Sequence, residues 1–194
     1  DAVVVGQRSR RNASPLAEKL ARKAPCPVLV VPASAPARVE RTLVPSDFSA
    51  PSAEAVKTAL DLTAGDRARR VDVVNAFSVP VPYARTRLQP ARLEAALLQQ
   101  ARRDYSQFVR KHHLPAKRLR VTFKLAPRPA AAIRQFAKLR NRDLIVVSAR
   151  GRSDLADLLL GSLVEALLRS NDRPLLAVRR KGANRTLLNA LLPG

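Results

Sequence analysis

The sequence predicts an α/β protein: a doubly wound, five-stranded parallel sheet with helices on both faces, preceded by a partial second copy made of a strand, a helix and a strand. Three observations carry this. Short apolar, β-branched runs alternate with helix-periodic segments along most of the 194 residues, the pattern of a parallel sheet covered on both sides. The two ends of the chain repeat one another. Cap and breaker residues fall between the periodic segments, where turns are needed.

The repeat sets the domain boundaries. DAVVVG (1–6) echoes DLIVVS (143–148), and SPLAEKLARKAPCPVLVV (14–31) echoes GSLVEALLRSNDRPLLAV (161–178). Glu18 falls on Glu165, Leu20 on Leu167, Arg22 on Arg169 and Pro27 on Pro174, at an offset of 147; the first pair sits at 142, so the early copy is five residues shorter in its loop. Residues 1–34 are therefore expected to be the C-terminal remnant of a first unit, 35–182 a complete unit and 183–194 a tail. A chain that opens on the fourth strand of a unit, and contains no Met, points to a piece of a tandem protein.

Within the complete unit each element has a local reason. RTLVPSDFS begins as a buried strand and ends in a turn. Ser49 caps a helix to about Leu62, striped by Ala53, Val56, Ala59 and Leu60, with Gly65 beyond its end. VDVVNAFSV is a second strand. Pro90 suits a first helical position, and Leu93, Leu97, Ala101, Tyr105 and Phe108 recur at helical spacing. RLRVTFKLA alternates as a third strand, AAAIRQFAKLRN is a helix, DLIVVS a fourth strand, SLVEALLRS a helix and PLLAVR a fifth strand. Right-handed crossovers then imply a doubly wound order.

Composition narrows the function classes. Apolar residues make up 46%, too many for a disordered chain, yet uninterrupted apolar runs reach only about five residues, far short of a membrane span. No leader pattern opens the chain, and Cys26 has no internal partner, so a reducing, cytoplasmic setting is expected. Lys and Arg exceed Asp and Glu by 36 to 15, a net charge of +21, and between Tyr105 and Arg142 there are eleven basic residues and no acidic one. Such a stretch is either a solvated helix face or a surface for nucleic acid or another polyanion.

In doubly wound sheets ligands lie beyond the carboxyl ends of the strands, where the strand order reverses. The loops that count are PSDFS, with Asp47, and SARGRSDLADLLLGS, residues 148–162. Gly151 lets backbone approach a ligand without a Cβ in the way. Gly161 stands at the mouth of a helix whose free N–H groups attract anions, Ser162 offers a hydroxyl, and Arg150 and Arg152 add charge. A second explanation competes: Ser162-Leu-Val-Glu165 fits a capping box, which accounts for the serine without a ligand. The first copy has Ser14-Pro15 at the same place and lacks the glycine loop, so a cap alone does not require Gly161.

VPSDFSAPSAEAVKTALDL and DLIVVSARGRSDLADLLLGSLVEALLRSNDRPLLAV resemble the universal stress protein family, over about residues 39–180 and again in part over 1–32. Nucleotide-binding members of that family carry Gly, two residues, Gly, nine residues, then Gly with Ser or Thr. Here Ser148, Gly151 and Gly161-Ser162 keep the spacing, with Ser148 in place of the first glycine. The resemblance implies that Ser46 and Asp47 meet the nucleoside, Phe77 lies beside the base, Ser148, Gly151 and Arg152 line the ribose and phosphates, and Gly161, Ser162 and Leu163 hold the phosphates of ATP, with or without Mg. It also implies pairing through last strands: Val28, Leu29 and Val30 against Leu175, Leu176 and Ala177, as an intrachain pseudo-dimer or a homodimer.

No catalytic constellation announces an enzyme. His112 and His113 are adjacent near a helix end, where neighbouring side chains diverge, and read as exposed residues at a helix C-terminus. GxSxG, GxxxxGK[ST] and GxGxxG are all absent. The expected function is a nucleotide-binding stress-response or regulatory module with at most weak ATP hydrolysis. The alternative is an interaction module that does not bind nucleotide and offers its basic region, 105–142, to nucleic acid or acidic proteins. Phe108 and Phe136 read as core residues rather than base-stacking platforms.

Overall fold

The computed structural model describes residues 2–7, 15–35, 40–66, 69–78, 90–149, 160–170 and 172–179. In chain order the elements are β1 (Val3–Gln7), α1 (Pro15–Lys23), β2 (Val28–Pro32), β3 (Thr42–Pro45), α2 (Ala50–Leu62), β4 (Val71–Phe77), α3 (Pro90–Lys111), a single 3₁₀ turn (Ala116–Arg118), β5 (Leu119–Leu125), α4 (Pro129–Leu139), β6 (Leu144–Ser148), α5 (Ser162–Ser170) and β7 (Leu175–Val178).

The strands form one seven-stranded sheet in the order β1-β2-β7-β6-β3-β4-β5. From β7 to β5 every neighbour is parallel, as is β1 with β2. The junction is antiparallel: Val28 faces Ala177, Leu29 faces Leu176 and Val30 faces Leu175. The five-stranded unit and the leading strand–helix–strand segment thus share a continuous sheet. The expected tail, 183–194, lies outside the described residues.

Period-two alternation sends side chains to two separate cores. On one face Val28, Val30, Leu43, Val74, Ile145, Val147, Leu175 and Ala177 meet α1, α4 and α5. On the other, Val44, Val71, Val73, Leu144, Val146 and Val178 meet α2 and α3. Leu167 and Leu168 of α5 are buried on the first face, each contributing about 1.5–3 kcal/mol relative to an exposed position. In α1, Pro15 occupies the first turn, where its missing N–H costs nothing. Small residues, Ala17 and Ala21, form its buried stripe and bring it close to α5.

Where α1 and α5 meet, Arg22 Nη2 lies 3.1 Å from Glu165 Oε1 and Arg169 Nε lies 3.2 Å from Glu18 Oε1. Both pairs are partly exposed, so each contributes about 0–1 kcal/mol and acts mainly on register. Arg179 Nη2 also donates to the Arg22 carbonyl, tying the end of β7 to α1.

Candidate functional site

The strand order reverses between β3 and β6. The chain moves from β3 outward to β4 and β5, then returns to β6 on the other side. Beyond the carboxyl ends of these two strands is where a doubly wound sheet takes a ligand. The β3–β6 register sets Leu43 against Ile145; continued to the strand ends, it brings Ser46 level with Ser148.

The PSDFS turn is held by a hydrogen-bond chain. Ser46 N donates to the Val74 carbonyl, 3.0 Å, and Asn75 Nδ2 donates to the Ser46 carbonyl, 2.8 Å, so β4 fixes the exit of β3. The Ser52 hydroxyl donates to the Ser49 carbonyl, which leaves Ser46 Oγ as donor in the 2.9 Å contact between the two hydroxyls. Ser46 Oγ accepts from Phe48 N, and Asp47 Oδ1 accepts from Ser49 N and, at 2.6 Å, from Ser49 Oγ. Ser49 also caps α2, accepting from Ser52 N. Among the described residues, Asp47 Oδ2 has no partner. One carboxylate oxygen therefore builds the turn and the other is available to a ligand.

Phe48 makes this turn costly to undo. Its φ of 62° is a left-handed conformation that a bulky residue rarely adopts. Its ring packs on Tyr105, Phe108 and Phe123 at centroid distances of 5.7, 5.4 and 6.2 Å. Strain of this kind persists only where the surroundings over-determine it, and here the aromatic group supplies the restraint.

On the other side of the crevice, β6 ends at buried Ser148, opposite Val178. Ala149 N donates to the Val178 carbonyl, and Gly161 N donates to the Ala149 carbonyl at 3.1 Å. The end of the strand and the mouth of α5 are thus one hydrogen bond apart. Phe77, half-buried, ends β4 one strand further out, opposite Leu125. Ser162 is exposed, and Leu163 packs against the core. Gly151 and Arg152 lie outside the described residues.

The capping-box reading is corrected. Glu165 N bonds to the Gly161 carbonyl, which makes Gly161 the cap and Ser162 the first helical residue. The Glu165 carboxylate turns away to Arg22. Ser162 is therefore not consumed by a reciprocal cap. A helix mouth with a bare glycine and an exposed hydroxyl suits phosphate, because the first N–H groups of a helix have no partner within it. Ser148, buried at the end of β6, comes level with Ser46 when the β3–β6 register is continued.

Two other expectations change. His112 is half-buried, its ring 5.3 Å from Phe108, and only His113 is exposed. Burial, with Lys57 and Lys111 close by, holds the His112 imidazole below its ordinary value. The basic stretch is not one solvated face either. Arg110, Lys111 and Lys117 are exposed, but Arg118 Nη2 donates to the Thr63 carbonyl and hydroxyl, and Lys124 lies over the buried Phe136 ring. Asn75 and Phe48 were missed in the sequence. The signal for Asn75 was a polar side chain inside the otherwise apolar run VDVVNAF.

Among the described residues, no three His, Cys, Asp or Glu side chains cluster as a metal site, and no helix is long and apolar enough to cross a membrane. A comparison with curated proteins gave no match. Solved structures do match. A functionally unknown protein from Pseudomonas aeruginosa PAO1 is 17% identical with a TM-score of 0.62, covering 97% of this chain and 66% of its own. A universal stress protein from Archaeoglobus fulgidus DSM 4304 is 17% identical with a TM-score of 0.58, over 92% of this chain and 60% of its own. The universal stress protein UspA from Lactobacillus plantarum is 22% identical with a TM-score of 0.51, over 74% of this chain and 100% of its own. The chain thus spans somewhat less than two thirds of the two longer proteins. At these identities the likeness is one of fold. The Universal stress protein family profile itself matches residues 38–179, well over half of the sequence, and the chain belongs to that family.

Proposed function

We propose that the chain is a nucleotide-binding regulatory module of the stress response, taking ATP, with or without Mg, at the β3–β6 crevice, and is not a dedicated enzyme. The observation that carries this reading is the hydrogen bond between Gly161 N and the Ala149 carbonyl. It holds a Cβ-free helix mouth against the end of β6, across the crevice from Asp47. In this reading Asp47 Oδ2 accepts from the ribose or base, Phe77 borders the base, and Gly161, Ser162 and Leu163 present N–H groups to the phosphates, with Ser46 and Ser148 at the floor and Gly151 and Arg152 completing the loop. Calorimetric titration of ATP, with and without Mg, tests it. Gly161→Val is expected to abolish ATP binding at this crevice while far-UV circular dichroism stays native. Silent titration of the unsubstituted chain, or undiminished binding by the variant, refutes the reading.

The leading segment, β1–α1–β2, is proposed as a partial second copy that docks as a pseudo-dimer partner. The support is reciprocity. Under the offset of 147, the Val28–Ala177 pair maps onto Val30–Leu175, and Leu29–Leu176 maps onto itself. The Arg22–Glu165 pair likewise maps onto Glu18–Arg169. Self-complementary exchange of this kind is the rule for a two-fold interface.

A further inference from the structure

The opposite end of the sheet carries a feature that nucleotide binding does not use. Four adjacent parallel strands, β6, β3, β4 and β5, begin there, and each delivers arginine. Glu40 and Arg41 lead into β3, Arg69 and Arg70 into β4, Arg120 is the second residue of β5, and Arg142 precedes β6. These six side chains line a cleft of about 370 Å³, within the size range of small-molecule sites.

The carboxylates at this end do not go round. Asp143 takes Arg41, at 3.3 Å, while Asp66 and Glu40 take Arg69, at 2.9 and 3.7 Å. Asp72, buried in β4, lies 2.8 Å from Arg142 Nε and only 3.9 Å from Arg120 Nε. Arg120 thus has a minor share of a carboxylate already committed elsewhere. Arg70 has no ion-pair or hydrogen-bond partner among the described residues. The cations also press on one another. Burial lowers the Arg142 guanidinium from its ordinary value; Asp72 opposes this, while Arg120, Arg41 and Arg140 add to the lowering.

A plainer duty for arginine at this end is to cap helix C-termini, whose carbonyls point here. Arg118 does that with Thr63. Arg70 and Arg120 do not; they stand on neighbouring strands at the rim of the cleft.

We propose that this cleft binds a compact phosphate-class anion, a polyphosphate or a phosphorylated small molecule, with Arg70 and Arg120 as its direct ligands and Arg142 behind them. Arg70, with no partner among the described residues, and Arg120, held only by a 3.9 Å contact to Asp72, offer guanidiniums that match the oxygen geometry of a phosphoryl group. The gathering of the cations in one small cleft favours a small ligand over a nucleic-acid strand, which needs a longer track of contacts. The site is independent of the proposed ATP crevice, which lies at the other end of the strands.

The test is calorimetric titration of the full chain with sodium tripolyphosphate at low salt, with inorganic phosphate and a single-stranded oligonucleotide as parallel probes. Arg70→Ala/Arg120→Ala should weaken tripolyphosphate binding ~100-fold, the loss of two charge-assisted contacts. This variant leaves Asp72 and Arg142 paired and loses only the 3.9 Å Arg120–Asp72 contact, so its Tm should stay within about 4 °C of the parent's. Gly161→Val should leave tripolyphosphate binding at this cleft unchanged, which separates failure here from failure of the ATP reading. No heat with tripolyphosphate, equal affinity in the double variant, or binding of the oligonucleotide alone would overturn the assignment.

Discussion

Replacing Asp72 with Ala removes the buried carboxylate on which the amino end of the sheet depends. Asp72 is 2% exposed, and its main partner, the Arg142 side chain, is 13% exposed at 2.8 Å. Breaking a buried pair by deleting one member costs about 3–5 kcal/mol, because the surviving charge stays desolvated. The cleft admits water to Arg142, which places the expected loss near the lower bound, about 3 kcal/mol. The Arg120 pair, half-exposed and 3.9 Å long, adds about 0–1 kcal/mol. The total is about 3–4 kcal/mol, and for a chain of this length each kcal/mol moves Tm by about 2–4 °C, so the variant should melt roughly 6–16 °C lower. Urea unfolding followed by circular dichroism, alongside a thermal scan, measures both quantities, and an unchanged m-value confirms that the folded state is otherwise intact. Asp72→Asn separates charge from volume and should lose most of the same stability. A loss below about 1 kcal/mol in both variants would show that the buried pair is not what organises this end.

Ser49→Ala removes a helix cap and the 2.6 Å bond to Asp47 together; it should cost about 1 kcal/mol of stability in urea and weaken ATP binding by freeing Asp47. His112, whose imidazole is held below its ordinary value of 6.5, binds fewer protons folded than unfolded, so its contribution to stability is whole above pH 6.5 and is lost as pH falls through the depressed folded value. Urea midpoints measured across that range should decline towards acid, and His112→Gln should flatten the decline. Deleting residues 1–34 bares the β7 edge with Leu175, Leu176 and Ala177; an unpaired apolar edge recruits another strand, so the truncated chain should sediment as a dimer where the parent does not use that edge.

The carboxyl end of the sheet was legible in the sequence because its parts are local. PSDFS and the helix starts are each contained within about twenty residues, the range over which turn and cap chemistry acts. What sequence reasoning misplaced there is also physical. Ser162 and Glu165 have the spacing of a capping box, but a cap forms only if Glu165 has nothing better to bind. Arg22, 143 positions away, offers a full charge at 3.1 Å, and the helix begins one residue earlier than the box requires, with Gly161 as its cap. Asn75 escaped notice for the related reason that its partner, the Ser46 carbonyl, belongs to the turn after β3, 29 residues earlier.

The amino end was illegible because no single segment contains it. Arg41, Arg70, Arg120 and Arg142 are scattered over a hundred residues, and in the one-dimensional chain each looks like an ordinary solvated charge. Strand order turns scattering into convergence: β6, β3, β4 and β5 lie side by side and parallel, so a basic residue at each entry must emerge at the same edge. The one trace left in the sequence is Asp72. A carboxylate inside the run VDVVNAF, in a strand whose flanking positions are all buried, needs a cation close at hand. A charge that a core would otherwise exclude therefore marks where distant cations must meet, even when motif spacing reveals nothing.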